Sequence, residues 1–187
     1  MSGSWRRWPG SHGTPPAALA SHAYQDTPLP IGFDKTISQP FIVAVMTDLL
    51  EPRPDDIVLE VGTGLGYQAA VRSQLVRRVW SVEIIEELAA EAEERLRRLG
   101  YENVGIRIGD GALGWREHAP YDKIIVGAAA EAAPPALLEQ LKPGGRMVLP
   151  AGPAEEQKLT VTQKDAAGRV HTQELMSVRF GQLETVR

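Results

Sequence analysis

Three glycines at alternate positions, Gly62, Gly64 and Gly66, join a short apolar run, Ile57 to Val61, to a helical pattern that begins at Tyr67. This join constrains the fold more than any other feature of the chain. A β-branched run that passes at once into a glycine turn and then a helix opens a βαβ unit. Glycine at such a turn accepts left-handed backbone angles and lets a ligand approach the main chain closely. The spacing is G-x-G-x-G, not the G-x-G-x-x-G whose helix N-terminus holds a pyrophosphate.

The acidic residues around the turn sharpen the reading. Glu60 precedes it, where a carboxylate repels phosphate and suits a cationic ligand. Glu83 ends the next strand pattern, 17 residues after Gly66, where a carboxylate can accept from ribose hydroxyls. Asp110-Gly111 follows the third strand pattern; an acid there can accept from an adenine amino group, and glycine leaves room for the ring. S-adenosylmethionine has an amino group, a sulfonium and no phosphate, so it has the required chemistry. The expected cofactor-binding residues are Glu60, Gly62, Thr63, Gly64, Gly66, Glu83, Asp110 and Gly111.

The rest of the chain continues the alternation. Ile42, Val45, Met46 and Leu49 follow helical spacing, with Ser38 as the expected N-cap and Pro40 in the first turn. Helices are expected over 67–78, 85–99 and 135–141, and strands over 79–83, 104–108, 123–126 and around 147–149. Glu91 and Glu94 stand four residues before Arg95 and Arg98, and Gly100 is placed to end that helix. Residues 159–163 and 170–176 read as a hairpin across Asp165-Ala166-Ala167-Gly168. Strands alternating with helices imply an α/β fold: a Rossmann-like, doubly wound, mostly parallel sheet, here with a C-terminal antiparallel hairpin. Residues 1–30, rich in Gly, Ser, Pro and Ala, are expected to be a poorly ordered arm, and residues 31–187 the single domain.

Composition excludes several classes. The chain of 187 residues has no cysteine, which removes disulfides, thiolate metal sites and a catalytic thiol. Its net charge of −4 is spread over mixed signs, so no nucleic-acid footprint is expected. No apolar run approaches a membrane span, and the opening residues lack the apolar core of a signal peptide; a cytoplasmic location is the expectation. The four histidines are scattered without metal-ligand spacing, and no metal is expected.

Residues 59–70 (LEVGTGLGYQAA) closely resemble the first methyltransferase motif of the protein-L-isoaspartate O-methyltransferase family. Residues 28–50, 109–130 and 137–152 are similar to the segments that flank it there. Thr36-Ile37-Ser38 is the most specific part of the resemblance, which covers about residues 24–163. It implies that Ser38 is the active-site serine beside the substrate carboxylate, that Thr36, Ile37 and Gln39 line the same site, and that Gly62, Gly64, Glu83, Asp110 and Gly111 bind S-adenosylmethionine. The implied activity is methylation of L-isoaspartyl carboxylates in damaged proteins, the first step of their repair. The alternatives are a methyltransferase for another substrate and a non-catalytic protein that keeps the cofactor pocket. Two departures stand out: Asp34-Lys35 where the family commonly has Gly-Gln, and Phe180 to Glu184 where it usually has a pattern close to Val-Pro-Leu-Thr.

Overall fold

A computed structural model describes residues 27–186. Seven strands form one sheet in the order β5-β4-β3-β6-β7-β8-β9. The strands are β3 (Ile57–Val61), β4 (Arg78–Glu83), β5 (Val104–Ile108), β6 (Tyr121–Val126), β7 (Leu141–Ala151), β8 (Gln157–Lys164) and β9 (Val170–Val178). β5 to β7 across the sheet are parallel; β8 and β9 run antiparallel. Chain order reverses between β3 and β6, so a crevice opens at their carboxyl ends.

Alternation along the strands fills both faces. Val58, Ile125 and Val148 pack on one side with Met46, Leu50, Ala70 and Leu96. Leu59, Val61, Ile124, Val126, Met147 and Leu149 pack on the other with Leu137. The helices are α1 (Pro40–Leu50), α2 (Tyr67–Ser73), α3 (Glu86–Arg98) and α4 (Pro135–Gln140). In α1 the buried stripe is Val43, Met46, Thr47 and Leu50, while Ile42, Val45 and Leu49 are half-buried beside it. The helical spacing is satisfied twice here, one residue apart, because the helix is apolar over most of its circumference. Gln39, not Ser38, is its N-cap, and no side chain caps it.

α2 stops at Ser73, five residues before the expected end. Asn103 takes over: its Nδ2 donates to the carbonyls of Ser73, Val76 and Arg77 at 2.7, 3.3 and 3.4 Å, which supplies the turn into β4. α3 ends as expected on Gly100 (φ +78°), with Tyr101 N–H on the Leu96 carbonyl and Gly100 N–H on that of Arg97, a Schellman closure. β7 begins earlier than expected, at Leu141, and its register with β6 slips between Tyr121 and Lys123 to accommodate the Lys142–Gly145 turn.

Residues 1–26, most of the expected arm, lie outside the described residues. Leu29 and Pro30, its last part, instead belong to a small hairpin, β1 (Leu29–Gly32) with β2 (Lys35–Ile37). Phe33 and Asp34 make its turn with φ of +53° and +55°. Both central residues are left-handed, as a type I′ turn requires, although neither is glycine. A bulky residue there is strained, and Phe33 is also exposed.

Candidate active site

The carboxyl ends of the parallel strands, the β1–β2 hairpin, the start of α1 and the chain beyond β9 enclose a cavity of about 890 Å³. Its floor is Val61 at the end of β3 and Gly62 after it, Val82 and Glu83 on β4, Gly111 after β5, and Gly127 and Ala128 after β6. Thr36, Ser38, Gln39, Phe41 and Ile42 form one wall, and Arg179 to Glu184 another. Sequence elements far apart in the chain therefore meet at the switch point.

The glycine turn is built for close approach. Gly62 and Gly64 line the cavity at φ +87° and +52°. A Cβ on Gly62 would stand in ordinary contact with the Gly127 backbone, 3.8 Å away, so the left-handed φ, not a lack of room, is what favours glycine there. Gly111 has the opposite reason: a Cβ there would stand 2.3 Å from Val61 Cγ1.

Glu83 is buried and faces the cavity. Its Oε2 accepts from Gly64 N–H at 2.8 Å, and its Oε1 from the amides of Ile84 and Ile85 at 3.0 and 3.1 Å. A carboxylate offers about four acceptor positions, so Oε2 keeps one for a donor in the cavity. Asp110, next to the cavity-lining Gly111, is buried and does not itself line the cavity; its Oδ1 accepts from Ala112 N–H at 2.9 Å and its Oδ2 from Val186 N–H at 3.0 Å.

Glu60 and Thr63 face away from the cavity. Glu60 is bound by Arg72 Nη1 at 2.9 Å and by Ser81 Oγ at 2.9 Å. Since Ser81 has one proton and gives it to Glu60, Thr63 must donate to Ser81 Oγ, 2.6 Å away. All four are buried. Burial pushes the Glu60 carboxyl above its ordinary range, against the pull of Arg72 and Ser81, and pushes Arg72 below its own. The expected cation-binding acid is a strut: it braces the glycine turn from behind. Gly66 also lies outside the cavity, packed on Leu96 and Ala92 of α3. Ile37 does not line the cavity either; it pairs with Leu29 in the hairpin.

The strongest omission of the sequence reading is the chain after β9. Phe180 to Glu184 depart from the family pattern, yet they form a wall. Lys35, also a departure, lines the cavity and is ion-paired with Glu184, not with Asp34. Trp115, by contrast, packs edge-on to Trp80 with centroids 5.1 Å apart and stays outside the cavity. No cluster of potential metal ligands occurs among the described residues, and none of their helices is long and apolar enough to cross a membrane.

The Glu83 carboxyl group and the left-handed glycines lining the cavity suit a nucleoside with a cationic tail. Residues 14–185 match the family model described as Protein-L-isoaspartate(D-aspartate) O-methyltransferase. A protein-L-isoaspartate O-methyltransferase of Polaromonas sp. is 60% identical over 166 residues, 89% of this chain and 70% of its own length. Another, of Syntrophobacter fumaroxidans, is 58% identical over 88% of this chain and 67% of its own. A solved protein-L-isoaspartate O-methyltransferase is 28% identical with a TM-score of 0.85, over 96% of this chain; the chain spans 59% of that structure. A Plasmodium falciparum structure described as a putative member in complex with S-adenosyl-L-homocysteine shares the fold at 22% identity, with a TM-score of 0.76 over 94% of this chain and 86% of its own.

Proposed function

The chain belongs to the protein-L-isoaspartate(D-aspartate) O-methyltransferase family, and from that premise we propose that it transfers a methyl group from S-adenosylmethionine to the carboxylate of L-isoaspartyl residues in damaged proteins. The observation that carries this reading is the meeting of Thr36 and Ser38 with Gly62, Gly64 and Glu83 in one cavity. The first pair is the specific part of the family resemblance; the others have the chemistry a nucleoside needs.

When bound, S-adenosylmethionine supplies an electrophilic methyl on a sulfonium. The protein's residues do the rest. Gly62 and Gly64 would offer their backbone to the ligand, Glu83 would accept from a ribose hydroxyl, and Asp110, beside Gly111, would accept from the adenine amino group. The acceptor is a carboxylate with a reference pKa of about 4, already ionised at neutral pH. It needs no general base, only orientation, which can supply roughly 7 to 11 kcal/mol. Ser38 donates a hydrogen bond that holds the carboxylate, with Thr36 and Gln39 beside it. Transfer of that methyl to a carboxylate would neutralise charge, so a water-poor cavity would favour it. Glu60, Thr63 and Gly66 act indirectly, by fixing the glycine turn. A cytoplasmic setting is part of the same proposal, and fractionation of cells carrying a tagged chain tests it.

Methyl transfer from labelled S-adenosylmethionine to an isoaspartyl peptide is the direct test, with the normal aspartyl peptide as control. Label should enter the first peptide only. Ser38→Ala should lower the rate while the affinity for S-adenosylhomocysteine changes little. Equal labelling of both peptides, or none, overturns the reading.

A further inference from the structure

The glycine turn has a second support, which comes from α3. Gly66 packs on this helix so closely that a Cβ there would stand 3.1 Å from Leu96 and 3.4 Å from Ala92. One residue earlier, the Leu65 carbonyl accepts from Arg95 Nη1 at 2.8 Å. One residue earlier again, Gly64 N–H donates to Glu83 Oε2 at 2.8 Å, and both of those residues line the cavity. Near the start of the same helix, Leu88 is part of the lining too. Arg95 therefore holds the backbone one residue away from the part that faces a ligand.

The position works against a charged side chain. Arg95 is 9% exposed, and its Nε has no hydrogen-bond partner among the described residues. Burial pushes its guanidinium below the ordinary value. Glu91, four residues before it, stands 3.7 Å from Nη2 with its side chain 62% exposed, so this pair does little to offset the burial. For the fold alone, an apolar side chain of the same bulk is often as good. What the charge does supply is bond strength: a hydrogen bond from an ionised donor is about twice as strong as a neutral one. That bond is directed at the turn with the most freedom to restrain. Gly62, Gly64 and Gly66 are all left-handed, and glycine loses more backbone freedom on ordering than any other residue. A turn of this composition, left loose, would lose that freedom on binding and weaken it.

We propose that Arg95 is a positioning residue for S-adenosylmethionine: its bond to the Leu65 carbonyl fixes the Gly64–Gly66 backbone in its ligand-ready shape before the ligand arrives. This rests on the methyltransferase reading above. Thr36 and Ser38 are carried by other elements, β2 and the chain entering α1, so the effect is confined to the cofactor. A turn that keeps the ligand-ready shape for about one-tenth of the time binds about tenfold more weakly.

Arg95→Met keeps most of the bulk of the side chain and removes the donor. Arg95→Lys keeps a charged donor on a stem of lesser reach. Calorimetry with S-adenosylhomocysteine should show Arg95→Met binding about tenfold more weakly than wild type, with the loss in the entropy of binding, and Arg95→Lys about threefold more weakly. KM for S-adenosylmethionine should rise in step, while kcat changes by less than about twofold, because binding and not the chemical step is affected. Urea unfolding of the unliganded proteins separates this from a merely structural role, which would lower the midpoint and leave Kd alone. A wild-type Kd in Arg95→Met overturns the proposal, and so does a loss that lies wholly in the enthalpy of binding. If Arg95→Met does not fold, Arg95→Lys decides, and a wild-type Kd in it overturns the proposal. Each of these outcomes leaves the methyltransferase reading standing. Failure of the wild type to bind S-adenosylhomocysteine removes both.

Discussion

At the scale of single residues, two buried carboxylates of the glycine turn have separate duties. Glu60 and Glu83 lie on adjacent strands at the same end of the sheet, and both suit a cationic ligand on paper. Sequence spacing places both beside the turn but not the direction each side chain takes. Direction follows from strand alternation and from Arg72, whose location in the last turn of α2 is visible in the sequence but whose aim is not. The consequence is measurable. Removing one partner of a buried ion pair costs about 3 to 5 kcal/mol, so Glu60→Ala should show a large fall in stability in urea unfolding, with Arg72 left uncompensated. Glu83→Ala should instead weaken S-adenosylhomocysteine binding by about 1.5 to 3 kcal/mol, the usual worth of a hydrogen bond to a charged group. A stable Glu60→Ala that has lost only ligand affinity would restore Glu60 to the binding site.

At the scale of elements, what could be read from the sequence divides by the length of the pattern. The parallel strands and α3 were legible because alternation, helical spacing and Gly100 all agree over many residues. The hairpin β1–β2 was not: its strands span four and three residues, and its Phe33-Asp34 turn lacks the Asn-Gly or Asp-Gly signal. The β8–β9 hairpin was legible through its turn, and that turn carries a pH dependence. The Arg169 amide and then its guanidinium hold the Asp165 carboxyl below the usual carboxylate range. A carboxylate depressed in the folded state contributes stability that is present above its unfolded pKa, about 4, and is lost as pH falls through the folded value. The Arg169 amide resonance should therefore titrate with a midpoint below that of a free aspartate, and Asp165→Asn should abolish the transition. A midpoint at or above the free value contradicts the turn geometry.

At the scale of the whole molecule, the site belongs to no single element. Lys35 and Glu184 are 149 residues apart in the chain, and Asp110 and Val186 are 76 apart. The meeting of Gly62, Gly64, Glu83 and Gly111 in the cavity was legible because they stand in local patterns at strand ends, where the α/β topology delivers them. The wall after β9 was not, because its placement depends on a crossing that no local pattern encodes. This construction couples ligand binding to the stability of the entire domain. A ligand that binds only the folded chain stabilises it by about 2.7 kcal/mol at a hundredfold excess over Kd. For a chain of this size each kcal/mol is worth about 2 to 4 °C. S-adenosylhomocysteine at that excess should therefore raise Tm by about 5 to 11 °C. NAD at the same concentration should leave it unchanged, since G-x-G-x-G offers its pyrophosphate no cradle. Gly64→Val should lose the shift, because a branched side chain at φ +52° enters the ligand's space and is strained on its own account. The unliganded Tm of Gly64→Val must be measured beside it, so that a weakened fold is not mistaken for a blocked pocket. A shift with NAD equal to that with S-adenosylhomocysteine would overturn the assignment of the glycine turn.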